Sequence, residues 1–179
     1  MEKIGNSIDE GMKSYYNIST ISYFWGCRMK TEQIAAEAKR LNQLYAEIDQ
    51  AYHEAARRLG LSDSVLAILC AVCDLGEPCD LREVIRLAGS SKQTINSALR
   101  KLEQEGILHL EKDGGRKKKV CLTEQGRCLI KEAILPLIEL ENEIYEGWTE
   151  KEREIYLRLT QEYLESFQEK TKTLERRKE

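Results

Sequence analysis

A mainly helical fold with one small β-hairpin, ordered as a winged helix-turn-helix flanked by long terminal helices, is what the sequence predicts. Three observations carry that reading. Apolar residues recur at spacings of three and four in several long segments, the period of an amphipathic helix. Only two prolines occur in 179 residues, so long helices are allowed. Two short apolar-rich runs, at 107–110 and 120–122, flank Asp113-Gly114-Gly115, a hairpin turn signal.

Taken in order, residues 1–30 are an extension without an assigned structure, with Tyr15, Tyr16, Tyr23, Phe24 and Trp25 set among Ser, Asn and Gly. It is read as an arm or a short helix packed on a partner. Residues 31–60 form a helix whose stripe is Ile34, Ala38, Leu41, Tyr45, Ile48 and Tyr52, and Gly60 stops it. Ser62 caps the next helix, which buries Val65, Leu66, Leu69 and Val72 before Gly76 and Pro78 break it. Asp80-Leu81-Arg82-Glu83 is a capping box that opens a short helix through Leu87. Gly89 ends that helix. Ser90-Ser91-Lys92-Gln93 is a second box, and its helix runs to about Gln104 with Ile95, Ala98, Leu99 and Leu102 inward. Gly106 is its stop. After the hairpin, Thr123 caps a long helix over 124–145 with a broad apolar face from Ile130 to Ile144, kinked at Pro136. Gly147 breaks it. Thr149-Glu150-Lys151-Glu152 is a further capping box, starting a last helix with the stripe Ile155, Leu159, Tyr163, Leu164 and Phe167. Residues 174–179 fray.

Two helices separated by Ala88-Gly89-Ser90 make a helix-turn-helix. The solvent side of the second carries Lys92, Gln93, Thr94, Asn96, Ser97, Arg100 and Lys101, and acids enter only at Glu103 and Glu105. Lys and Arg suit phosphates and guanine edges, and Asn and Gln suit adenine edges. The turn from Glu111 to Lys119 is basic, and Arg116 just past its tip is shaped for a minor groove. The whole chain has a formal charge of -3. From Arg86 to Lys119, however, there are nine Lys/Arg against four Asp/Glu, whereas residues 124–179 hold ten against fourteen. Screening makes phosphate attraction local, over roughly 10 Å, so the basic block decides. Double-stranded DNA is the expected partner. A winged-helix module that binds protein, or an architectural DNA binder without an effector, stands as the alternative.

Other classes fit less well. With two histidines, His53 and His109, no nucleophile-base-orienter set is apparent, so no enzyme and no cofactor is expected. No stretch reaches the ~18 apolar residues of a membrane span, and the first residues lack a signal-peptide layout. A cytoplasmic location is expected. The six cysteines, at 27, 70, 73, 79, 121 and 128, are expected to be reduced there. Cys70-x-x-Cys73, with Cys79 and His53, is read as core rather than as a metal site, and no metal is expected.

Ser-Lys-Gln-Thr at 91–94, Leu102-Glu103, Gly106-Ile107-Leu108, the basic wing and Val120-x-Leu122-Thr123-x-x-Gly126 together resemble the MarR family of bacterial transcriptional regulators, over residues 31–170. The resemblance implies a homodimer on a pseudo-palindromic operator, acting as a repressor. Residues 31–60 and 123–179 would supply the dimerisation helices, and 61–122 the DNA-binding domain. The length of the terminal helices points the same way, because the small winged domain cannot cover their apolar faces. By position, Lys92, Gln93, Thr94, Asn96, Ser97 and Arg100 would lie in or beside the major groove. Ser91 would meet phosphate, Arg116 the minor groove, and Lys117 and Lys118 phosphates. Many family wings carry Asp-x-Arg, whereas here two glycines separate Asp113 from Arg116. Family members often release DNA on binding a small aromatic ligand. The candidates here are Tyr45, Tyr52, His53 and Cys73, each read first as core packing. Cys27, beside Arg28, is the candidate for oxidant sensing.

Overall fold

The computed structural model describes residues 32–114 and 117–174. They fall into two compact units, one ending at Tyr52 and one beginning at His53. Helix α1 (Glu32–Arg58) starts in the first and ends in the second. In the first unit its apolar side chains Ile34, Leu41, Ile48 and Tyr52 are exposed, between 36% and 53%. The expected stripe therefore exists, and these four of its side chains are exposed.

The second unit holds the core. Gly60, at φ +70°, ends α1, and Ser62 accepts the Val65 N–H at 3.4 Å to start α2 (Asp63–Leu75). Helix α2 buries Val65, Leu66, Ile68, Leu69 and Val72. It packs against α3 (Leu81–Leu87) and α4 (Lys92–Gln104). The α3 box is only half made. Asp80 accepts the Arg82 N–H at 2.7 Å, but the Glu83 carboxylate bonds Arg86 instead of reaching back. An ion pair one turn along the helix outcompetes the backbone there. The second box does not form. Ser91, not Ser90, is the cap of α4, accepting the Thr94 N–H at 3.1 Å. Ile95, Ala98, Leu99 and Leu102 are buried, as their spacing predicts.

Strands β2 (Leu108–Lys112) and β3 (Lys118–Leu122) pair antiparallel, with Leu108 opposite Leu122 and Lys112 opposite Lys118. They run further toward the turn than the apolar runs suggest, because a two-stranded ladder can continue on charged residues beyond the core. A short strand β1 (Cys79–Asp80) adds to the other edge of β3, giving the order β1-β3-β2. Two residues after Pro78 carry no readable period, so sequence reasoning missed it. Glu77 just before it accepts the Leu122 N–H at 2.9 Å and pairs with Arg127. Burial pushes the Glu77 carboxyl up, and the hydrogen bonds from Arg127 and Leu122 outweigh it, holding the group below its ordinary value.

Beyond the wing, Thr123 caps α5 (Glu124–Leu129) by accepting the Gly126 N–H at 3.1 Å. The same hydroxyl lies 2.6 Å from the Gly106 carbonyl and 3.1 Å from that of Ile107. The expected single helix over 124–145 is instead three pieces. After α5 comes a π-helical turn (Ile130–Ile134), then α6 (Leu135–Glu146). Pro136 lacks the N–H that an α-helix would donate one turn back, and the widened turn just before it absorbs the fault. Helix α7 (Glu150–Thr171) opens with the full capping box, Thr149 N–H to Glu152 at 2.8 Å and Glu152 N–H to Thr149 at 3.3 Å. Tyr145, Trp148 and Tyr156 cluster at the α6–α7 corner, with ring centroids 5.1 to 6.4 Å apart. The remaining apolar side chains of α7 stay exposed, Leu159 by 51% and Phe167 by 56%. No helix among the described residues is long and apolar enough to cross a membrane.

Gly126 explains the Leu-Thr-x-x-Gly motif. A Cβ there would stand 2.1 Å from the Ile107 oxygen, far inside contact distance, so only glycine lets α5 lie on the hairpin. Gly126→Ala is expected to destabilise the protein by about 1–3 kcal/mol through forced backbone movement, read as a lower urea midpoint. Gly60→Ala, in open space at φ +70°, carries only the cost of an unfavourable dihedral, about 1–2 kcal/mol.

Candidate nucleic-acid interface

Helix α4 presents a polar face because its buried residues all fall on one side. With Ile95, Ala98, Leu99 and Leu102 inward, Lys92, Gln93, Thr94, Ser97 and Arg100 are exposed and Asn96 is half-buried. Among the described residues, no side-chain hydrogen bond or ion pair engages Lys92, Gln93, Asn96 or Arg100. Arg82, Arg86 and Arg127 differ, since carboxylates hold each of them. Lys101 reaches Glu105 at 3.7 Å. Ser91, expected at a phosphate, spends its hydroxyl on the cap and on Thr94 at 2.8 Å. The first turn of α4 has no acidic residue, so its N–H groups add partial positive charge where Lys92 and Gln93 stand.

The wing is a second basic element. The Asp113 N–H donates to the Lys117 carbonyl at 3.0 Å, and Gly114 takes the left-handed φ of +55° that the turn needs. The Asp113 carboxylate bonds Lys119 at 3.2 Å. Arg116 lies outside the described residues, as do Cys27 and the whole of 1–30. Lys117 and Lys118 are exposed. Sequence reasoning missed Lys112. It stands directly opposite Lys118 in the ladder, and neither has a carboxylate partner among the described residues. Like charges facing each other across a ladder are unfavourable, and an anion between them removes that cost. The signal lay in the sequence, but a strand ended at Leu110 hid it.

The remaining candidates fall on both units. Tyr45 is half-buried and Tyr52 is 44% exposed in the first unit. In the second, His53 is exposed and bonds Asp63 at 3.0 Å, and Cys73 is half-buried. Core packing is therefore the wrong reading for Tyr52 and His53 in the single chain. Burial, then the charges of Glu141 and Cys73, pushes the Cys70 thiol up to about 11. Burial likewise raises Cys73 and Cys79. Such thiols are poor nucleophiles at neutral pH.

This geometry, a basic helix seated in a helix-turn-helix beside a basic hairpin, defines a winged-helix protein. No protein-family model matches the chain, and no curated protein does. Among solved structures the fold is that of MarR family transcription regulators. One such regulator superposes with a TM-score of 0.63 at 18% identity, covering 81% of this chain and 97% of its own. MepR of S. aureus, solved as a DNA complex, gives 0.57 at 16%, covering 73% and 96%. BpsR of Bordetella bronchiseptica, whose DNA binding is regulated by 6-hydroxynicotinic acid, gives 0.54 at 22%, covering 69% and 98%. The chain thus spans the greater part of a regulator fold.

The facing lysines yield a test that needs no ligand. Lys112→Ser is expected to stabilise the protein by about 0.2–1 kcal/mol at low salt, by relieving the cross-strand repulsion. The gain, measured by urea denaturation, should shrink as salt is raised.

Proposed function

We propose that this chain is a transcription regulator of the MarR type, binding double-stranded DNA in a sequence-specific way as a homodimer. The observation that carries the reading is the face of α4. Four polar or basic side chains suited to base edges, Lys92, Gln93, Asn96 and Arg100, lie along the first three turns of α4 without internal partners among the described residues. A purely structural surface helix tends to pair its charges along its own length, as α7 does with Arg158 and Glu162. In this reading α4 enters the major groove, Lys112, Lys117 and Lys118 meet phosphates, and Arg116 meets the minor groove.

The homodimer rests on the apolar faces of α1, α6 and α7. Ile34 and Ile48, Leu140 and Ile144, and Leu159 and Phe167 are all exposed in the single chain. Each of these faces is covered by a second copy. Exposed apolar faces of this length mark an interface, and two-fold symmetry in the protein matches a pseudo-palindromic operator. Regulation of DNA binding by a small aromatic acid extends to this chain what is described for BpsR, and repression is what the resemblance to the MarR family implies. Such a ligand acts by favouring a state in which the reading helices are wrongly spaced.

Arg100→Ala tests the reading of α4. A duplex selected from a random pool serves as the operator, and fluorescence anisotropy gives the affinity. The variant is expected to lose about 1–3 kcal/mol, roughly 5- to 150-fold. Wild-type affinity should fall steeply with salt. Unchanged affinity in the variant, or affinity independent of salt, would contradict the proposal.

A further inference from the structure

The outer face of the hairpin holds a group of side chains that DNA binding does not use. His109 sits directly opposite Cys121 in the ladder, and Glu111 follows two residues along β2. Strand alternation puts all three on one face, away from Leu108, Val120 and Leu122, which are buried in the core. The His109 imidazole Nε2 lies 3.0 Å from the Glu111 carboxylate. One donor atom from each of the three, an imidazole nitrogen, a carboxylate oxygen and the Cys121 sulfur, lies within 4.8 Å of the others.

We propose that His109, Glu111 and Cys121 bind a divalent cation of the zinc class on the outer face of the wing. One nitrogen, one oxygen and one sulfur form a mixed donor set that suits a borderline cation such as Zn²⁺, rather than Ca²⁺ or Mg²⁺, which take oxygen. Zinc holds such donors at roughly 2.0–2.3 Å, so in a tetrahedron they stand roughly 3.5 Å apart, and small side-chain rotations bring these three into place. They form the floor of a shallow pocket whose wall is Glu77 and Arg127. Glu77 is already taken by Arg127 and the Leu122 N–H, so three protein ligands and an open fourth position are the arrangement the site offers. Lys119, which faces Glu111 across the ladder, directs its ammonium to Asp113 instead. A bound cation ties β2 to β3 at the root of the wing, whether or not the wing meets DNA.

The experiment is a titration of the full, reduced, chelator-treated chain with Co²⁺, which reports thiolate ligation by a sulfur-to-metal charge-transfer band. One equivalent is expected to bind with that band, and Zn²⁺ is expected to displace it. Cys121→Ser should abolish the band. His109→Gln, at an exposed position, should weaken cobalt binding by about tenfold or more, with an unchanged urea midpoint showing that the fold is kept. Cys128→Ser should leave both unchanged. Absence of the band in the wild-type chain, its persistence in Cys121→Ser, or undiminished affinity in His109→Gln would each overturn the site.

Discussion

Four elements converge on the backbone of Ile107. Its N–H closes the end of α4 on the Leu102 carbonyl at 2.9 Å. Its carbonyl accepts the Thr123 N–H at 3.0 Å, and Gly126 is pressed against that same oxygen. The end of α4, the first residue before β2, the end of β3 and the start of α5 therefore share one small junction. None of them can move far without breaking a buried hydrogen bond or driving a helix into a carbonyl. The face of α4, the wing and the root of the C-terminal helices behave as one block within the second unit. A shift of α5 is thereby passed to α4 and the wing.

A different constraint acts further from the junction. The core is complete around α2, α4 and the small sheet, where Ile68, Leu69, Ile95, Leu102 and Leu108 are all but fully buried. Helices α6 and α7 bury no residue completely. They carry Leu140, Ile144, Leu159, Leu164 and Phe167 into solvent at 47% to 61% exposure. Helix α1 does the same with its own stripe. Amphipathic helices of 22 and 27 residues owe their stability chiefly to the surface their apolar face covers, and among the described residues much of that face is exposed. The π-helical turn before Pro136 redirects the chain between α5 and α6.

Much of this was legible in the residues. The α4 stripe, the Gly106 stop, the Thr123 cap and the Thr149 box follow from local rules, because each depends on neighbours three or four positions away. The failures share a physical cause. Ser91 rather than Ser90 caps α4, a one-residue choice that backbone dihedrals decide. Strand β1 exists only because β3 offers a free edge, a partner 40 residues distant in sequence. Lys112 was hidden because strand length depends on the ladder, not on apolar content. The cluster of His109, Glu111 and Cys121 needs the register of β2 on β3, which no spacing along the chain discloses, whereas the tempting Cys70-x-x-Cys73 pair proved half-buried in the helical core.

The central claim is that the chain forms one half of a two-fold DNA clamp. Sedimentation velocity of the protein bound to a selected duplex, in slight excess of protein, tests this most directly. A complex of two chains on one duplex is expected, with the free protein sedimenting as a dimer. A monomeric free chain, or one chain per duplex, would contradict the claim.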